Sequence, residues 1–383
     1  MALAAAICGV GACLPPNVVS NDDLVGELET SDAWIRTRTG IERRRRVQPG
    51  VSTGDLAVAA GRAALVSAGQ SADFVLLATT TPDRPCPGTA PEVAHRLGLG
   101  DVPALDVSAV CSGFIYGLAI ASSLVKAGVC ARPLVIGAEV YSSIIDPLDR
   151  DTAVIFGDGA GAALLRGASS EEPGAIRAVD LGSDGSGSDL IAIAAGGSRL
   201  PARNGALSRD LLYFRMQGRE VYRQAVQHMT ASSQAVLERA NWQPRLIGAF
   251  IGHQANQRIL NAVGDRLGIK AECRFGNIAE VGNTAAASIP LAMADTLTRG
   301  VVRPGKRTLL TAFGGGLTWG SIALNWPDVL PLYMPPQAPP ACQDTPGSLP
   351  GSESHGPAVQ PWLLPTSITA LNGTAHEAEH VPS

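Results

Sequence analysis

Three residues of this chain combine a chemically useful side chain with a point where a strand pattern gives way to a helical one: Cys111, His253 and Asn283. Cys111 lies in the run Leu105 to Phe114, where a short apolar stretch ends on a thiol and an alanine-rich helical pattern begins. At a helix N-terminus the unpaired N–H groups and the positive end of the macrodipole favour thiolate over thiol. That predicts a lowered pKa and a nucleophile reactive near neutrality. Ser112 and Gly113 are small and leave room for a bulky acyl group. A buried structural cysteine is the other reading, and position alone does not exclude it. His253 ends the pattern Phe250-Ile251-Gly252, and Asn283 opens Gly282 to Pro290, where a helix is expected. Taken singly, such a His is structural and such an Asn is an N-cap. Together the three share the carboxyl ends of strands, where α/β sheets gather their chemistry. A thiolate that moves acyl groups needs donors for an oxyanion and partners that manage charge on a second substrate.

The surrounding pattern must place these residues. Apolar runs at Phe74–Ala78 and Leu134–Gly137 alternate with helical patterns at 54–68, 88–97 and 112–127, which makes the class α/β. A second series follows: a helix over 217–239, a strand over 246–251, helices from Gln254 and from Asn283, and a strand over 308–313. Phe156-Gly157-Asp158-Gly159-Ala160-Gly161 echoes Phe313-Gly314-Gly315-Gly316-Leu317, each a Gly-rich turn before an apolar strand. The chain therefore reads as two similar halves, residues 1–170 with the Cys and 171–328 with the His and Asn. From 329 to 383 Pro, Gly, Ser, His and Glu dominate, and a disordered tail is expected.

The 383 residues are 45% hydrophobic and 17% charged, enough for one large core or two fused ones. A formal net charge of −4 argues against bulk binding to nucleic acid or anionic membrane. Seven cysteines without a CxxC pair signal neither a disulfide framework nor a zinc site, so no metal is expected and a reducing cytoplasm fits. No stretch approaches the roughly 20 apolar residues of a membrane span, and the N-terminal run lacks a basic leader segment.

Residues 30–41 (Thr-Ser-Asp-Ala-Trp-Ile-Arg-Thr-Arg-Thr-Gly-Ile), the Cys111 block, Asp146 to Gly161, Gly252 to Asn256, Gly282 to Pro290 and Phe313 to Gly320 together resemble the β-ketoacyl-[acyl-carrier-protein] synthase III family. These are condensing enzymes of the thiolase fold, and the resemblance runs through essentially all of residues 1–327. It implies two βαβαβ-type halves in a five-layered α-β-α-β-α core. It implies that Cys111 carries an acyl group, that His253 and Asn283 complete the triad, and that the N–H groups of Cys111 and Gly315 form the oxyanion hole. The reaction implied is acylation by acyl-CoA and then decarboxylative condensation with a malonyl carrier-protein thioester, initiating fatty acid or polyketide chains without a further cofactor. Thiolases carry a second Cys in the last Gly-rich loop, and Phe313 to Gly320 has none; elongating synthases carry a second His where Asn283 stands. Acyl transfer from Cys111 to another acceptor without condensation stays open, as does a non-catalytic acyl-binding role.

The resemblance also places Trp34, Arg38 and Arg150 at the coenzyme A site, where an adenine needs a flat surface and phosphates need cations. Arg43 to Arg46 form a basic run that reads equally as solvated surface or as a phosphate or carrier contact. Arg258 and Arg266 stand where relatives meet an acidic carrier, while Asp265 replaces an expected cation and suggests a specialised acceptor. Cys86 falls where relatives often place a bulky residue that closes the partner's acyl pocket in a homodimer. Its small side chain predicts primers longer or more branched than acetyl.

Overall fold

The computed structural model describes residues 3–202 and 207–336. Its strands are β1 (Leu3–Cys13), β2 (Asn17–Ser20), β3 (Arg43–Arg46), β4 (Phe74–Ala78), β5 (Ala104–Val107), β6 (Pro133–Glu139), β7 (Gly159–Ser169), β8 (Ile176–Ser183), β9 (Ile191–Ala192), β10 (Arg215–Met216), β11 (Ala249–Gly252), β12 (Arg307–Gly314), β13 (Thr318–Asn325) and β14 (Leu332–Tyr333). The helices that matter to the site are α1 (Asp32–Thr39), α2 (Thr53–Ala68), α3 (Ala90–Arg96), α4 (Gly113–Lys126), α5 (Gly218–Arg239), α6 (Gln257–Leu267) and α7 (Ser288–Thr298).

Two sheets share one wiring. The first runs β14-β1-β7-β6-β4-β5 and the second β11-β12-β13-β8. In the first, β1 is antiparallel to β7, β7 antiparallel to β6, and β6 parallel to β4. In the second, β8 is antiparallel to β13, β13 antiparallel to β12, and β12 parallel to β11. The repeat suggested by the two Gly-rich turns is therefore a repeat of topology, with β7 and β13 as equivalent strands.

Helices α4 and α7 pack between the sheets, α2 and α3 cover the outer face of the first, and α5 and α6 cover that of the second. Five layers result. The central core joins Phe114 and Leu118 of α4 and Ile289 and Met293 of α7 to Leu76 and Val135 of one sheet and Ile251 and Leu310 of the other. Being covered on both faces, β4 and β6 are buried at every position, which is why they read as continuous apolar runs.

The structure departs from the sequence expectations at three element ends. The helix expected from Gln254 starts at Gln257, because the Asn256 side chain caps it by accepting from Arg258 N–H. The helix expected from Asn283 starts at Ser288, after a 3-10 turn over Ala285–Ala287. The tail expected from residue 329 is structured at its beginning: β14 pairs in parallel with β1, and Ser67 Oγ donates to the Leu330 carbonyl. An exposed edge of β1 offers unpaired backbone groups, and even a Pro-rich segment can satisfy them. The remainder of that expectation, from 337 onward, lies outside the described residues.

Candidate active site

Cys111 sits in a 3-10 turn, Val110–Ser112, between β5 and α4. Val110 adopts φ +46°, a left-handed conformation costly for a β-branched residue. Two hydroxyls hold the turn. Ser112 Oγ donates to the Ala109 carbonyl at 2.8 Å and lies 2.7 Å from Thr318 Oγ1, which is itself within 3.2 Å of the same carbonyl. Thr318 Oγ1 also reaches the Gly315 carbonyl at 3.1 Å, so it staples the Gly-rich loop to the cysteine turn. The approach is close: a Cβ on Gly314 would lie 2.9 Å from Cys111 N.

The lowered thiol pKa expected for Cys111 is reversed. The residue is buried, and burial pushes the thiol above its usual range, with the Glu139 carboxylate pushing the same way. A helix N-terminus contributes about 0.3–1 kcal/mol to a neighbouring anion, up to ~2 kcal/mol in favourable geometry. Loss of water around a thiolate outweighs that.

His253 directly follows β11, and its backbone N–H donates to the Thr311 carbonyl of β12. Its Nδ1 lies 2.6 Å from Ser288 Oγ, the first residue of α7, and the same hydroxyl accepts from Gln254 N–H at 3.2 Å. Burial lowers His253 to about 3, so the imidazole is neutral at physiological pH. Asn283 is locked on three sides. Its backbone N–H donates to the Ile155 carbonyl, its carbonyl accepts from Gly157 N–H, and its Oδ1 accepts from Ala285 N–H at 2.9 Å. With Oδ1 engaged, its Nδ2–H groups are the part free to act on a substrate.

Cys111, His253 and Asn283 line one pocket, together with Phe156, Phe214, Met216, Met229 and Phe313. Behind the thiol stands an aromatic wall. Tyr141 stacks on Phe156 with centroids 4.4 Å apart, and Phe214 meets both rings edge-on at 5.3 and 5.1 Å. The segment carrying Phe214 is tied down by Arg209 and Arg215, which both pair with Asp146. Cys86 is exposed on the 82–88 loop and is not among the residues lining this pocket.

A second cluster lies along α1 and beside the start of α6. Arg150 stands 4.3 Å and Arg38 5.6 Å from the centre of the Trp34 ring, and among the described residues neither guanidinium pairs with a carboxylate. Asn256 donates to the Arg38 carbonyl, joining this cluster to the N-terminus of α6. Arg258, exposed on α6, sits over the Tyr222 ring, and Arg266 is exposed in the last turn. Asp265 is ion-paired with Arg274 at 2.7 Å. The basic run is neither a free patch nor a solvated face throughout: Arg43 to Arg46 form β3 against β2, and Arg44 is wholly buried on the Asn21 side chain and the Val19 and Val154 carbonyls.

Sequence reasoning assigned no role to Ser288, Thr318, Tyr141, Phe214 or Glu139. Glu139 had a signal, a carboxylate ending an otherwise apolar strand. The aromatic wall had none, since its rings come from segments far apart in the chain.

Comparison with known proteins gives the same picture. Residues 105–185 match the 3-oxoacyl-[acyl-carrier-protein] synthase III family, and residues 237–326 match its C-terminal domain. The β-ketoacyl-[acyl-carrier-protein] synthase III 2 of Streptomyces coelicolor is 55% identical over 329 residues, covering 86% of this chain and 96% of the relative. The crystal structure of 3-oxoacyl-(acyl carrier protein) synthase III from Pseudomonas aeruginosa superposes with a TM-score of 0.80 at 50% identity, over 86% of this chain and all (100%) of that one. The priming β-ketosynthase of a polyketide biosynthetic pathway superposes with a TM-score of 0.79 at 32% identity, over 85% and 96%. By sequence and fold, the chain belongs to the β-ketoacyl-[acyl-carrier-protein] synthase III family of thiolase-fold condensing acyltransferases.

Proposed function

We propose that Cys111 is acylated by an acyl-CoA and that the acyl group is then condensed with a malonyl carrier-protein thioester, starting a fatty acid or polyketide chain. The observation that carries this reading is the convergence of Cys111, the neutral His253 and the tethered Asn283 amide on one pocket.

In the first half-reaction the Cys111 sulfur attacks the thioester carbonyl. A C–S bond to Cys111 forms, the C–S bond to coenzyme A breaks, and the thiol proton ends on the departing CoA thiolate. Because both Cys111 and His253 rest uncharged, His253 Nε2 takes the thiol proton during attack rather than beforehand. The N–H groups of Cys111 and Gly315 receive the oxyanion. In the second half-reaction the malonyl C–C bond breaks, carbon dioxide leaves, and the enolate oxygen is held by His253 Nε2–H and Asn283 Nδ2–H. The enolate carbon then attacks the acyl carbonyl, the C–S bond to Cys111 breaks, and the released thiolate takes a proton from solvent to restore the thiol. Each step needs a different His253 tautomer. Ser288 Oγ serves both, accepting from Nδ1–H in the first and donating to Nδ1 in the second.

Trp34, Arg38 and Arg150 fit the adenine and phosphates of coenzyme A, by stacking and by unpaired guanidinium charge. Arg258 and Arg266 offer the cations an acidic carrier needs. A homodimer, in which Cys86 reaches the partner's acyl pocket, and a cytoplasmic setting belong to the same proposal. Among the described residues no helix is long and apolar enough to cross a membrane. The test is product analysis with acyl-CoA and malonyl carrier protein. The reading requires carbon dioxide release and a product two carbons longer, and simple acyl transfer to an acceptor yields neither.

A further inference from the structure

One buried carboxylate has no part in the steps above. Glu139, the last residue of β6, is fully buried. Among the described residues no cation pairs with it; neutral donors from two places surround it. Thr80 N–H donates at 3.0 Å, Thr81 Oγ1 at 2.9 Å and Thr79 Oγ1 at 3.3 Å from the end of β4, and Ala286 N–H donates from the turn after Asn283. That turn is strained, with Ala285 at φ +43°, and Ala285 N–H is the group that fixes Asn283 Oδ1. β6 also meets the turn at Gly137, where a Cβ would fall 2.3 Å from the Ala286 carbonyl. Glu139 thus grips the residue next to the one that orients the Asn283 amide, and its field reaches Cys111.

We propose that Glu139 is a positioning residue: its carboxylate braces the turn that aims the Asn283 amide, and its negative charge, next to the Ala285 and Tyr141 that cluster with Cys111, adds to burial in opposing a thiolate there. The elements packed on it face it with few titratable groups. Cys111 faces it from the 3-10 turn and Tyr141 from the loop after β6; the segment following β4 presents threonines and the 285–287 turn presents alanines. Burial raises Glu139 to about 7, so its charge is present above neutrality and shed below it. The bracing role rests on the reading of Asn283 as an enolate donor, whereas the charge role rests on Cys111 alone.

Two readouts on purified protein separate these. Iodoacetamide labelling of Cys111 from pH 6 to 9 is compared between wild type and Glu139→Gln, which keeps an acceptor for the Thr80 and Ala286 N–H groups and removes the charge. The expected result is labelling at least threefold faster in the variant at pH 8.5, with the two profiles converging at pH 6. Superimposed profiles overturn the charge role, and so does a constant ratio at every pH, which would mark a merely disturbed pocket. For the bracing role, Glu139→Ala read at pH 6, where the wild-type carboxyl is also largely uncharged, should lose at least tenfold in malonyl carrier-protein decarboxylation while keeping its acyl-CoA loading rate. Equal loss in both, or in neither, overturns it. If Glu139→Ala does not fold, the same ratio is read at pH 6 on Glu139→Met, which fills the space without an acceptor for the Thr80 and Ala286 N–H groups; at least a threefold selective loss is expected and an unchanged ratio overturns the claim. If wild type takes no acyl group from any acyl-CoA, the proposed reaction fails, and the labelling profile still decides the charge role.

Discussion

The roles proposed for Asn283 and His253 differ before condensation, and that difference is measurable. Asn283 presents only donor groups, so Asn283→Ala should leave acyl-enzyme formation intact and slow condensation about 100- to 1000-fold, the usual cost of one preorganised donor. His253→Ala should slow both steps, because the imidazole also receives the thiol proton. Loading and condensation rates from rapid-quench mass spectrometry check both; equal losses in the two variants would contradict the division of roles. The thiol makes a prediction of its own. Burial and Glu139 raise its pKa, so the thiolate fraction keeps growing through and beyond neutrality. Iodoacetamide labelling of the wild type should rise with pH across 7 to 9, and a plateau reached below pH 7 would show a thiolate already formed. The sequence carried the identity of this cysteine and its placement before a helix. It did not carry the charge state, which depends on water excluded by distant segments and on a carboxylate 28 positions further along the chain.

At the level of elements, the reaction depends on strand ends brought closer than side chains allow. The end of β12 passes the Cys111 turn at Gly314 with no room for a Cβ. Gly314→Ala should therefore push the oxyanion loop off the turn, costing about 1–3 kcal/mol of stability and slowing acylation more than it lowers melting. A variant with wild-type loading would contradict this packing. On the proposed reading, the aromatic wall bounds the primer within the chain. Phe214→Ala should raise hexanoyl-CoA loading relative to acetyl-CoA at least about tenfold, since each methylene in an apolar pocket is worth about 1–3 kcal/mol; an unchanged ratio would move the limit elsewhere, to Cys86 across a dimer. Strands such as β4 and β6 were legible because full burial makes them continuously apolar. The starts of α6 and α7 were not, because the functional residues preceding them sit in irregular backbone held by tertiary hydrogen bonds rather than by helical periodicity. β14 was missed for a related reason: its Pro-rich surroundings carry no strand pattern, and only the edge of β1 makes it a strand.

Across the whole molecule, the repeat of two sheets around α4 and α7 brings Cys111 from one half against His253 and Asn283 from the other. A single half would present only part of the chemistry, so the five-layered fold and the active site are one arrangement. The sequence showed the repeat through its paired Gly-rich turns, while the matching strand order needed coordinates. On the proposed reading, the outer surface near α6 governs encounter with the carrier. Arg258→Glu should weaken the carrier-dependent KM and flatten its salt dependence while leaving acyl-CoA loading unchanged. Asp265→Lys, which breaks the pair with Arg274 and adds a cation, should shift preference among carriers; rates left unchanged with every carrier tested would remove the case for a specialised acceptor.

The central claim is that Cys111 holds the primer between two thioester substrates. Intact-mass measurement of the full chain after acyl-CoA, and again after malonyl carrier protein, tests it most directly. The account predicts one acyl adduct that is absent in Cys111→Ala and is discharged by malonyl carrier protein with appearance of a β-ketoacyl carrier. An adduct that persists in Cys111→Ala, or one that malonyl carrier protein fails to discharge, would contradict it.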